Sequence, residues 1–182
     1  MNKKSSTTSI VLVGLFAALT VLGTMIKIPM PTGAFAHLGN SVLLLAVLLI
    51  GYKKGALAGG LGFAIFDVLN GFAAEAPYFI LESFIVGGAA ALVILFFHQN
   101  IDVIWKVIVV AAVTGIVKII MTQIKNTVMG LIAGADFSVS FASALSKLPA
   151  TFINVATTIV IVTLVYFPLK KAMSIIFSRQ SF

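Results

Sequence analysis

The chain has 182 residues, 60% hydrophobic and 9% charged, with a mean hydropathy of +1.17; soluble domains use roughly 45–50% apolar and 25% charged residues, so a water-soluble globule is excluded. Twelve basic against five acidic residues give a net charge of +7, but the basic residues lie scattered between apolar runs and form no basic face or nucleic-acid motif. With no cysteine, disulfides, thiol nucleophiles and thiolate metal sites drop out.

A membrane-crossing helix needs about 20 mostly apolar residues, because the hydrocarbon is ~30 Å thick and each residue rises ~1.5 Å. Six segments approach that requirement. Thr8–Ile26 comes first; Lys3 and Lys4 precede it, yet no A-x-A cleavage site follows and the run exceeds the ~7–15 apolar residues of a secretory signal, so it reads as a retained helix. Pro29, Pro31 and Gly33 break the chain after it. Leu38–Gly51 follows, short at fourteen residues, either tilted or continuing a re-entrant loop. Gly51-Tyr52-Lys53-Lys54-Gly55 separates it from Gly55–Phe72; then come Pro77–Phe97, Val103–Ala133 and, after Gly134-Ala135-Asp136, Phe141–Met173. With no linker or internal repeat, residues 1–182 read as one domain, an all-α membrane protein built as a six-helix bundle.

A cytoplasmic N-terminus places Lys3, Lys4, Lys53, Lys54, Lys106, Lys170, Lys171 and Arg179 inside, eight of the twelve basic residues. The positive-inside rule favours that orientation, with both termini cytoplasmic in a cell membrane. Ile28–His37, Gly71–Ala76 and Asp136–Ser140 then form the outer loops.

Ionisable residues inside a bilayer cost about 2.5–3.5 kcal/mol each on insertion scales, so they face a cavity or a partner. Under this topology Asp67, Glu82, Lys125 and Lys147 fall in the outer halves of their helices and Lys118 at the middle of its own, which brings the five to similar levels. Lys147, Thr151, Asn154 and Thr158 recur at helical spacing as one polar stripe; Lys118, Thr122 and Lys125 form another, with Asn126 at its edge. Glu75, Tyr78 and Glu82 share a face, and Asp67 lies one turn before Asn70. One reading pairs these charges with each other to lock the bundle. The other makes them the walls of a solute pocket, since three lysines against two acids leave a positive surplus and Asn70, Asn126 and Asn154 add free donors and acceptors. His37 and Asn40 sit in or just after the Pro- and Gly-stiffened first outer loop, which can cover such a pocket; His37 can equally be an interfacial histidine without a ligand. His98, in an inside loop, receives no role.

Gly51, Gly55 and Gly59 repeat every four residues, Ala58 pairs with Gly62, and Gly14 with Ala18. Small-xxx-small faces of this kind let helices approach closely, mostly inside the bundle; on the first helix an outward docking face is also open. The chain carries no H-E-x-x-H, G-x-S-x-G or G-x-x-x-x-G-K-[ST] motif, so it reads as a non-enzyme, and an ATP-driven process needs another subunit to hydrolyse ATP. Six helices without an inverted repeat are fewer than most complete secondary transporters use.

The order Gly14-Leu15-Phe16-Ala17-Ala18-Leu19-Thr20, Ile26-Lys27-Ile28-Pro29-Met30-Pro31-Thr32-Gly33, His37-Leu38-Gly39-Asn40, Gly51-Tyr52-Lys53-Lys54-Gly55-Ala56-Leu57-Ala58-Gly59-Gly60-Leu61-Gly62 and Asp67 resembles the substrate-binding S components of energy-coupling factor (ECF) vitamin transporters, nearest the pyridoxine and hydroxymethylpyrimidine branch. The resemblance implies a monomeric six-helix bundle that binds a vitamin near its outer side. It also implies docking through Gly14 and Ala18 to a transmembrane coupling subunit with two cytoplasmic ATPases, which would hold ATP and magnesium, while this chain holds no cofactor or metal. In such families the bundle is thought to topple, carrying its pocket inward. The sequence departs from the branch in having Glu82 where a lysine often follows the fourth helix's proline, and in its basic fifth helix. A pyridine or pyrimidine alcohol stacking on Tyr78 or Phe35 is the expected substrate; a carboxylate such as pantothenate, using the lysines, is the alternative. A membrane scaffold without transport is the alternative class.

Overall fold

The computed structural model describes residues 3–31 and 34–178. Thr32, Gly33 and Arg179, and the side chains of Lys3 and Lys4, which enter the loop and topology readings above, lie outside the described residues. Six helices follow one another: α1 Lys3–Met25, α2 Gly39–Ile50, α3 Tyr52–Leu69, α4 Ala76–Phe96, α5 Ile104–Ile132 and α6 Phe137–Ser178. Between α1 and α2 the chain forms a two-stranded antiparallel ribbon, β1 Lys27–Pro29 with β2 Phe35–His37, in the register Lys27 to His37 and Pro29 to Phe35. The all-helical expectation misses this ribbon. Its prolines and three-residue strands give no alternating run long enough to read as a strand.

Single glycines set two helix boundaries more tightly than the sequence suggests. Gly51, at φ +86°, makes the whole α2–α3 turn alone, so Tyr52-Lys53-Lys54 join the first turn of α3 instead of a loop. Gly71, at φ +83°, ends α3: the Phe72 N–H reaches the Asp67 carbonyl at 2.7 Å, a Schellman closure that stops the helix at Leu69 rather than Phe72. α6 starts before the apolar run does, because the Asp136 carbonyl already accepts the Ser140 N–H at 2.9 Å.

α5 packs along α6, α3 lies between α1 and α4, and α2 lies against α1, α3 and α6. The core joins Leu43, Val47, Val107, Val110, Val162 and Tyr166. The α3 glycines serve internal packing: a Cβ on Gly55 would overlap the Val47 backbone of α2, and one on Gly62 would sit 2.7 Å from the Ala17 carbonyl of α1. Gly14 has nothing within 4 Å of the place a Cβ would take, and Ala18 is exposed beside it.

Large apolar side chains cover the outside, among them Leu92, Phe96, Ile116, Ile132 and Leu164, a surface suited to lipid and not to water. Among the described residues four helical stretches are long and apolar enough to cross a membrane, Thr7–Met25, Ala73–Phe96, Ile104–Ile132 and Phe137–Ile175. This differs from the expectation of six. α2 has only 12 residues, a rise of about 18 Å, and α3 carries Lys53, Lys54 and Asp67 within 18 residues. α6, with 42 residues, rises about 63 Å, twice the hydrocarbon thickness. Short connections make successive helices antiparallel, so α1, α3 and α5 finish where α2, α4 and α6 begin.

Candidate functional site

At that shared end lies a cavity of about 270 Å³. α3 contributes Phe63, Phe66 and Asp67; α4 contributes Tyr78, Phe79 and Glu82, with Glu75 from the turn before it. α5 contributes Lys118, Thr122, Lys125 and Asn126, and α6 Lys147, Thr151 and Asn154. The ribbon closes it with Phe35 and His37, which alternation places on one face of β2, while Ala36 between them is buried.

Asn154 holds that ribbon. Its Oδ1 accepts the His37 backbone N–H at 2.6 Å, and its Nδ2 points at the Phe35 carbonyl at 3.5 Å. His37 Nδ1 accepts the Gly39 N–H at 3.1 Å, which leaves the neutral ring's proton on Nε2. Burial, reinforced by the Lys118 charge, pushes the His37 imidazole down to about 3. The Phe35 ring lies 6.1 Å from Phe66 and 6.3 Å from Phe72, and the Lys27 amine caps Phe35 and Phe66 at 5.3 and 5.2 Å.

The opposite wall is ionic. Lys118 pairs with Glu82 Oε2, and the Tyr78 hydroxyl, 3.0 Å from the Met121 carbonyl, donates to Glu82 Oε1 at 2.8 Å. Lys125 pairs with Glu75. Both amines also face Phe79, at 5.4 and 4.8 Å from its ring centre, a cation–π arrangement that steadies them where water is scarce. Among the described residues Lys147 makes no ion pair, and Asp67 Oδ2 is buried without a hydrogen-bond partner.

A family model described as the ECF-type riboflavin transporter, S component, matches residues 4–171. The chain belongs to this family. No curated protein matches it. The chain is thus an ECF S component, a membrane transport protein, as the resemblance in its first three helices implied; the family description names riboflavin rather than the pyridoxine and hydroxymethylpyrimidine branch.

In this S component the cavity gathers His37, Asp67, Tyr78, Glu82, Lys118, Lys125, Asn126, Lys147 and Asn154, nine of the eleven residues singled out from sequence. Asn40 and Asn70 stand apart. Asn40, at the start of α2, faces a separate void of about 20 Å³ beside Thr158. Asn70 turns back on its own helix, its Nδ2 donating to the Phe66 carbonyl at 2.8 Å, as expected of an amide next to a helix end. Asn154 is committed to the ribbon, not free.

The expected surplus of positive charge is also corrected. Glu75, read only as sharing a face with Tyr78 and Glu82, joins the wall, so three acids meet three lysines. That face was the available signal for Glu75. The aromatic lining of Phe63, Phe66, Phe72 and Phe79 had none, because Phe is common in any membrane helix.

Proposed function

We propose that this S component is the substrate-specificity subunit of an ATP-driven ECF importer in a bacterial cell membrane, with both termini cytoplasmic and the cavity at the outer side. It binds a water-soluble vitamin there and passes it inward together with a coupling subunit and two ATPases. ATP and magnesium belong to those ATPases, and this chain performs no catalysis. The observation that carries the reading is the cavity itself: ionic on one wall, aromatic on the other, lidded by a ribbon, in a chain of this family.

The lining favours a flat, net-neutral ring alcohol. Phe35, Phe66 and Phe79 offer ring faces for stacking, the paired charges present fixed dipoles to hydroxyl groups, and Lys147, without an ion pair among the described residues, offers its amine to one oxygen. Charge balance disfavours a carboxylate such as pantothenate, because Lys118 and Lys125 already have their anions. About 270 Å³ lies at the small end of ligand pockets, ~300–1,000 Å³, which favours a single-ring vitamin, hydroxymethylpyrimidine or pyridoxine. Riboflavin is the second reading, supported by the family description.

Calorimetric titration of the purified chain with hydroxymethylpyrimidine, pyridoxine, riboflavin and pantothenate tests this. A single-ring alcohol binds tightest, and Lys147→Ala weakens it about tenfold, roughly 1.4 kcal/mol. Tightest binding of pantothenate would reverse the charge argument, and silence with all four compounds would remove the vitamin-binding reading.

A further inference from the structure

Among the described residues Asp67 is the one lining carboxylate left without a partner. It is 5% exposed, and its Oδ2 is buried with no hydrogen bond among the described residues. Burial and its carboxylate neighbours work against a bare anion, and the nearby Lys118 and Lys125 amines, which favour one, are already paired with other acids. It sits in the last turn of α3, where its own carbonyl takes the closing Phe72 N–H and the helix presents its negative end. Glu75 and Glu82 add two more carboxylates to the same cavity, and they already engage the Lys125 and Lys118 amines. Lys27 lies over the Phe35 and Phe66 rings, and Lys147 is across the cavity on α6. A buried acceptor so placed calls for a donor.

The neighbouring lining says what form the donor takes. Phe66 precedes Asp67 on α3, and Phe63, Phe35 and Phe72 stand around it in the same cavity. A flat heterocycle stacked on one of these rings would turn an edge, not a face, to a carboxylate beside it. Resting on the vitamin-binding reading above, we propose that Asp67 is the specificity-determining residue, accepting an N–H from the edge of the ligand's ring. The donor is a ring imide N–H, an amino group conjugated to the ring, or a ring nitrogen that enters with one proton shared between it and the carboxylate. A site built around such a bond rejects an analogue lacking the donor far more strongly than one built on apolar fit, because the analogue leaves the carboxylate unpaired.

Matched pairs of compounds test this by calorimetry on the purified full chain. They are riboflavin and its derivative methylated at the ring imide nitrogen, hydroxymethylpyrimidine and its analogue without the amino group, and pyridoxine and its analogue with carbon in place of the ring nitrogen. For whichever parent binds, the wild type binds the donor-less analogue at least about tenfold more weakly. Asp67→Asn weakens the parent by a similar factor and brings the two members of the pair within about threefold of each other. Equal binding of a pair by the wild type overturns the role of Asp67 and leaves vitamin binding standing, and this arm needs no variant to fold. Equal weakening of both members by Asp67→Asn overturns it too, marking the carboxylate as structural. Binding of none of the three parents overturns the proposal together with the reading on which it rests.

Discussion

Glu82 and His37 show how single side chains in this cavity are held by what surrounds them. The Glu82 side chain is 3% exposed and that of Lys118 11%, so each supplies the opposite charge in direct contact that makes the other tolerable there. Removing one partner of a buried pair costs about 3–5 kcal/mol, whereas replacing both is often close to neutral. Glu82→Gln and Lys118→Met should therefore each lower thermal stability in detergent sharply, and the double variant should recover much of the loss; additive losses would show that the pair is not coupled. His37 is held neutral. A histidine whose folded value is depressed, here to about 3, contributes stability that is present above its unfolded value of about 6.5 and lost as pH falls through that value toward the folded one. Taking the protein from pH 7.5 to 5 should lower the melting temperature by at least about 2–4 °C, the shift that 1 kcal/mol makes in a domain of this size. His37→Gln should flatten that dependence, and an unchanged slope in the variant would assign it to another group.

Among the elements, α3 decides most about how close the bundle packs. Its Gly55 and Gly62 are internal contact points with α2 and α1, and a side chain on Gly62 would press on Thr20 and the Ala17 carbonyl. Overpacking of this kind costs about 1–3 kcal/mol, so Gly62→Val should reduce melting temperature and folded yield. α1 offers a contrast, because Gly14 meets nothing inside the bundle. Gly14→Leu should leave stability within about 0.5 kcal/mol of wild type while reducing co-purification with the coupling subunit. Loss of stability by Gly14→Leu, or intact assembly, would remove Gly14 and Ala18 from the docking proposal.

For the whole molecule, the family places the chain in transport, and its lipid-suited exterior places it in a membrane. The proposal that transport needs partners is tested by reconstitution. Liposomes holding this chain alone should bind labelled vitamin without concentrating it, and adding the coupling subunit, the two ATPases and ATP-magnesium should give accumulation. Concentrative uptake by the chain alone would sink the partner requirement.

Hydropathy and helical spacing were enough for the six helices, the stripes of α5 and α6, and the gathering of eight chosen helix side chains at one level, because a helix of known pitch fixes the height and face of each residue it carries. They were not enough for what those side chains touch. Whether Asn154 is free or clasps the ribbon, whether Asn70 faces the cavity or its own helix, and whether Glu75 neutralises Lys125 depend on distances between segments up to 119 residues apart. The ribbon is the plainest case: β1 and β2 are too short to be read as strands, and β2 is clasped from 117 residues away by Asn154 of α6. Hydropathy and helical spacing placed the polar groups at one end of the bundle; only packing could decide which would pair with each other and leave Asp67, among the described residues, without a donor.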